Sequence, residues 1–200
     1  MTDKPLVVVT AFGAFLDVRD NPAELVLRTL KIEGLGDDVT AQFELLDTAY
    51  SSVSRRIADL LAQRPAALVM IGYSRHAATL TLERRATNRR SLEHPDEAGF
   101  LPHAPPEREV ALDNRGIDFA KLVDALAARG ISAEVSDDAG DYVCNHCYFE
   151  ALGAIIGVGL MTRAVFVHIP ALEGGELGAG TMPLARMVEA VRLIARELAR

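Results

Sequence analysis

Short, β-branched apolar runs alternate along this chain with segments of helical periodicity, and that alternation narrows the fold more than any other feature. Leu6 to Thr10, Ala67 to Ile71 and Ala164 to Ile169 are nearly continuous apolar runs, as expected of strands buried on both faces. Asn21-Pro22 opens a helix over Ala23 to Lys31, with an N-cap residue followed by proline at the first helical position. Val53, Ile57, Leu60 and Leu61 mark a second helix that stops near Arg64-Pro65. Phe119, Leu122, Val123 and Leu126 mark a third, and Pro183 to Arg200 carries one apolar stripe. Val39 to Leu46 and Ile131 to Val135 are expected as further strands, and Thr79 to Thr87 as a half-exposed one. The pattern predicts an α/β chain, a single-domain α/β/α sandwich whose mixed, mostly parallel sheet is covered by helices on both faces. Residues 89 to 116 are polar and proline-rich, the composition of a lid, an interaction segment or a disordered stretch.

Composition enters mainly through what it excludes. The net charge is −7, and the densest basic cluster, Arg84, Arg85, Arg89 and Arg90, is flanked by Glu83 and Glu93. Neither nucleic acid nor an anionic membrane is an expected partner of such a surface. No apolar run reaches the roughly 18 residues of a membrane span. The first residues, Met-Thr-Asp-Lys-Pro, resemble no signal peptide, and two cysteines give no disulfide framework. A reducing cytoplasm is therefore expected.

In open α/β sheets, functional groups gather at strand ends and in the loops that follow. Three candidates fall there. Asp137 to Asp141 has loop composition, and a helical pattern begins around Tyr142 to Cys147, so Cys144 sits where a loop becomes a helix. The unpaired N–H groups and dipole of a helix start favour the thiolate a nucleophile requires. His168 ends the strand beginning at Ala164, and Glu83 lies in the polar stretch after Gly72. Thiol, imidazole and carboxylate are the nucleophile, proton carrier and orienting group of acyl transfer. Each has a plainer alternative: Cys144 as a small buried hydrophobe, His168 as a structural residue, Glu83 as half of a surface ion pair with Arg84 or Arg85. Cys144-Asn145-His146-Cys147 also spells C-x-x-C, which leaves open a redox pair or a zinc site completed by His146 or His168.

Four segments, in order, resemble the pyroglutamyl peptidase I family of cysteine peptidases. They are Val9-Thr10-Ala11-Phe12-Gly13-Ala14-Phe15 with Asn21-Pro22, Glu83-Arg84-Arg85-Ala86-Thr87-Asn88, Ala139-Gly140-Asp141-Tyr142-Val143-Cys144-Asn145-His146, and Val165-Phe166-Val167-His168-Ile169-Pro170. The resemblance implies Cys144 as nucleophile, His168 as general base and acid, and Glu83 as the group that orients His168. It implies an α/β/α domain like that of the nucleoside phosphorylases, homo-oligomeric assembly as a dimer or tetramer, and no metal or cofactor. The implied substrate is a peptide or small acyl amide, from which an N-terminal pyroglutamyl group is hydrolysed. Phe12 and Phe15 resemble slot aromatics, although core packing is the plain alternative for both. Asn21 resembles a residue holding the ligand loop or ring, and Tyr142-Val143 the backbone facing the ring. Tyr73 stands where the family has a glutamine that hydrogen-bonds the ring, and Asp138 and Asp141 where it has threonines. A family member without catalysis, acting as a binding module, is the rival reading.

Overall fold

The computed structural model describes residues 4–14, 21–175 and 178–200. In chain order the elements are β1 (Leu6–Phe12), α1 (Pro22–Glu33), β2 (Thr40–Leu46), α2 (Tyr50–Ala62), β3 (Ala67–Tyr73), β4 (Leu80–Glu83) and β5 (Arg85–Thr87). There follow β6 (Ala111–Asp113), α3 (Phe119–Ala127), β7 (Ala133–Ser136), α4 (Val143–Val158), β8 (Arg163–Ile169), β9 (Ala171–Leu172), β10 (Thr181–Met182) and α5 (Leu184–Ala199). Six strands make one sheet in the order β2-β1-β3-β8-β4-β7. The first four are mutually parallel; β4 runs against β8 and parallel to β7, so the last two strands are reversed.

Side chains alternate across a strand, and the two faces of this sheet bury different helices. Val9, Val69, Leu82 and Val167 pack with residues of α1, α3 and α5. Val8, Met70, Ala164 and Phe166 pack with residues of α2 and α4. This is the expected α/β/α sandwich with its mixed, mostly parallel sheet. No helix among the described residues is long and apolar enough to cross a membrane.

Two expectations need correcting. Thr79 to Thr87 is not one half-exposed strand. All four residues of β4 are buried: Leu80 and Leu82 enter the core, and Thr81 and Glu83 are 7% and 2% exposed on the other sheet face. The chain then leaves the main sheet, and β5 pairs with β6 instead.

The proline-rich segment, in turn, is a fastened wall. Helix α2 begins after Ala49, which offers no side-chain cap. Asp96, buried in the proline-rich segment, supplies one: its Oδ2 accepts from Tyr50 N at 2.9 Å. Its Oδ1 accepts from Ala98 N and Phe100 N at 3.0 and 2.8 Å. Replacing Asp96 by alanine strands three backbone donors, and we expect a loss of about 1–3 kcal/mol in chemical denaturation. An unchanged denaturation midpoint would mean that this cap contributes nothing.

Candidate active site

The site is built where β3, β8 and β4 meet the start of α4. Gly72 lies opposite His168 in the β3–β8 register. Its missing side chain leaves the gap into which α4 delivers the thiol. A Cβ at Gly72 would stand 2.9 Å from Cys144 Sγ and 2.9 Å from two atoms of the Phe166 ring. Cys144 is the second residue of α4 and is partly exposed. The N-cap, Tyr142, makes no side-chain bond into the first turn; its hydroxyl donates instead to Pro95 O at 2.9 Å. The N-cap side chain thus leaves the first-turn N–H groups beside the sulfur uncapped.

The imidazole and its carboxylate partner are brought together by cross-strand register. In the antiparallel β4–β8 pair, Thr81 faces His168 and Glu83 faces Phe166, so Glu83 is the diagonal neighbour of His168 on one sheet face. His168 Nδ1 and Glu83 Oε1 are 2.7 Å apart, both groups buried. The Cys144 thiol lies close enough to act on the imidazole as well. Burial alone would push the His168 pKa down, but Cys144 and Glu83 outweigh it and raise the pKa to about 9. With the folded value above the unfolded one, the stability that this bonding contributes is fully present below about pH 6.5. It is lost as pH rises through about 9.

Glu83 is itself braced by residues whose part the sequence did not disclose. Tyr148, one turn beyond Cys144 on α4 and fully buried, donates to the Glu83 carbonyl at 2.8 Å. Asn114 donates to the Tyr148 hydroxyl at 2.8 Å and to Ala164 O at 2.7 Å. Asn145 grips β5: its Oδ1 accepts from Thr87 N, and its Nδ2 donates to Thr87 O and Arg89 O. Polar residues interrupting the buried face of α4 were the available signal.

A cavity of about 1160 Å³ opens over Cys144, His168 and Glu83, and Tyr73, Tyr142 and Asp141 line it. Val143 is fully buried and is not a lining residue. Phe12 is buried in the apolar cluster on which Tyr142 and Cys144 pack, and it is not a lining residue. Asn21 is buried too; it accepts from Ala23 N and donates to Gly13 O at 2.8 Å, fixing the entry to α1. Phe15 lies outside the described residues. Of the acidic residues before the thiol, Asp138 is held by Arg89 at 2.7 Å and Asp137 by Arg84 at 2.5 Å.

The C-x-x-C does not form an open pair. Cys147 is fully buried with its sulfur 3.7 Å from Met70 Sδ, and burial raises its pKa well above the ordinary thiol value. His146 turns to α2, where Nε2 lies 2.9 Å from Ser54 Oγ. Burial, with Arg90 nearby, pushes its pKa down to about 4, so the ring is neutral. No group of three or more His, Cys, Asp or Glu among the described residues is arranged to hold a metal ion.

Residues 5–200 match the family model described as pyroglutamyl peptidase. The chain belongs to the pyroglutamyl peptidase family. Pyrrolidone-carboxylate peptidase 1 of Ralstonia nicotianae is 32% identical over 90% of this chain and 84% of its own length. The pyrrolidone-carboxylate peptidase of Thermococcus kodakarensis is 34% identical over 82% of this chain and 80% of its own. Among solved structures, the pyrrolidone carboxyl peptidase of Fervidobacterium islandicum superposes with a TM-score of 0.88 at 25% identity, covering 98% of both chains. Family membership weighs against the redox and zinc readings, as the buried Cys147 and the turned His146 do independently.

Proposed function

We propose that this member of the pyroglutamyl peptidase family hydrolyses the amide bond after an N-terminal pyroglutamyl residue, with Cys144, His168 and Glu83 as its catalytic groups. One observation carries the assignment of roles: the Glu83–His168 bond of 2.7 Å beside a thiol seated at a helix start. With the thiol proton already resting on His168 and Glu83 holding its Nδ1–H, the sulfur attacks the pyroglutamyl carbonyl. The tetrahedral oxyanion is stabilised by backbone N–H groups at the start of α4, including that of Cys144. As the C–N bond breaks, His168 protonates the departing amine and leaves a thioester. Water, deprotonated by His168, then attacks the thioester, releasing pyroglutamate and restoring the thiol.

The pyroglutamyl ring is flat and uncharged, which suits a slot with aromatic walls and a few amide hydrogen bonds. Tyr73 and Tyr142 supply such walls beside Cys144. Tyr142 faces the ring, Val143 and Phe12 support from the core, Asn21 acts through the entry to α1 that it fixes, and Phe15 is assigned to substrate binding by the family resemblance. A reducing, cytoplasmic setting fits a mechanism that needs a free thiol. Self-association fits the exposed apolar residues Ile156 and Val158 in the last turn of α4 and Met161 just beyond it. Residues 1–200 act as one domain in this reading.

Hydrolysis of a fluorogenic pyroglutamyl amide under reducing conditions tests the proposal, and turnover is expected. No turnover, with Cys144 rapidly alkylated by iodoacetamide, would point to a different acyl group. No turnover with an inert Cys144 would favour a binding module. The pH profile tests the roles separately. His168 must be protonated to expel the amine, so kcat/KM should fall on the alkaline side near pH 9. Glu83→Gln removes a partner that raises this pKa, and the alkaline limb should move to lower pH. An unmoved limb would dissociate Glu83 from His168.

A further inference from the structure

The floor of the active-site cavity continues past His168 to the free edge of the sheet, and it does so in polar residues. The register aligns His168 with Thr81 on β4, and Thr81 with Glu134 on β7. Thr81 Oγ1 and Glu134 Oε1 are 3.3 Å apart, so one row crosses three strands on one face. The next row brings Glu83 opposite Ser136. Adjacent strands lie ~4.8 Å apart, so Glu134 stands about 10 Å from His168, the length of about three extended peptide residues.

The charges along this floor have one prevailing sign. Glu93, Glu134 and Asp141 line the cavity and make no ion pair among the described residues, whereas Asp138 is neutralised by Arg89. Among the described lining residues, Arg75 is the one guanidinium or ammonium group. A second observation points to a ligand that brings donors. Glu83, only 2% exposed, bonds His168 through Oε1, while its Oε2 is buried in this same wall without a hydrogen-bond partner among the described residues. A buried acceptor left unmatched favours an N–H-rich occupant.

We infer that this floor is the subsite for the leaving peptide and selects a lysine or arginine within the first two residues after the pyroglutamyl group, with Glu134 as the principal specificity residue. The inference rests on the proposed pyroglutamyl peptidase reading. The slot for the neutral ring supplies no charge, so the sign of the floor acts on the part of the substrate that departs. It also favours the leaving amine, which is released neutral and becomes cationic on taking a further proton from water. Acidic leaving peptides meet like charge.

Three peptides, pyroglutamyl-Lys-Ala-amide, pyroglutamyl-Gln-Ala-amide and pyroglutamyl-Glu-Ala-amide, form the test, with the freed amine quantified. For the unaltered chain at about 20 mM salt, kcat/KM should fall in the order Lys, Gln, Glu, with about tenfold between the ends, and the spread should shrink at about 500 mM. Glu134→Gln should reduce the Lys-to-Gln ratio by about threefold or more, and the ratio is insensitive to how much of the variant folds. Binding of the same peptides to Cys144→Ala, which needs no turnover, should rank them alike. Equal kcat/KM for the three peptides, or a ratio unmoved in Glu134→Gln, would overturn the inference while leaving the pyroglutamyl reading intact. Absence of turnover with all three would sink that reading, and the inference with it.

Discussion

Cys144→Ala should abolish hydrolysis of a pyroglutamyl amide, lowering kcat/KM by about 10⁴-fold or more, and leave the fold in place. The size follows from the loss of the covalent route: without the sulfur, His168 and the α4 N–H groups retain only what positioning and oxyanion stabilisation provide. The fold should survive because Cys144 is partly exposed and caps no element, so its truncation lies in the range of about 0.5–1 kcal/mol. Thermal melts and far-ultraviolet dichroism beside the kinetics separate the two effects. Activity above about a tenth of the original would exclude Cys144 as nucleophile, since no uncatalysed background approaches that level. The partner experiment is chemical: iodoacetamide should label Cys144 and spare Cys147, which is fully buried against Met70.

The second large effect should come from the smallest substitution. Gly72→Ala places a methyl 2.9 Å from Cys144 Sγ and from two atoms of the Phe166 ring. Phe166 is fully buried in the α2–α4 layer and has no room to recoil, so the displacement falls on the start of α4. A shift of about 1 Å at a reacting atom costs about 10²-fold, and we expect that loss in kcat/KM. Overpacking should also cost about 1–3 kcal/mol of stability. The signature to look for is slower alkylation of Cys144 together with a lower kcat, in a protein that still unfolds cooperatively. If Gly72→Ala retained activity within about threefold, the sulfur would not depend on this gap.

Much of the framework was legible in the sequence because local chemistry sets it. Asn21-Pro22 caps α1 as its composition demands, and the β-branched runs became central strands. Cys144 was placed at a helix start from composition alone. What escaped was non-local. Nothing in Leu80 to Glu83 discloses that β4 runs against β8, yet that reversal is what makes Glu83 the diagonal neighbour of His168. Thr81 and Glu83 gave the stretch a half-exposed look because polar residues on a covered sheet face resemble polar residues facing water. Asp96 lies in a segment whose composition names no partner for it; that partner, the start of α2, lies 46 residues away. Phe12 has the side chain of a slot residue, but its place in strand alternation turns it into the core.

The arrangement of β4, β8 and α4 separates two things that evolution or engineering would change independently. The distance between carboxylate and imidazole is set by hydrogen-bonded register, and α4 both presents Cys144 and braces Glu83 through Tyr148. Residues that line the cavity, such as Tyr73, Tyr142 and Asp141, stand instead at strand and helix ends or in loops around the rim. A rim can be rewritten without touching a register. The reversed strand therefore makes the reacting groups a fixed cassette, and new acyl or leaving groups are to be sought by exchanging the loops around it.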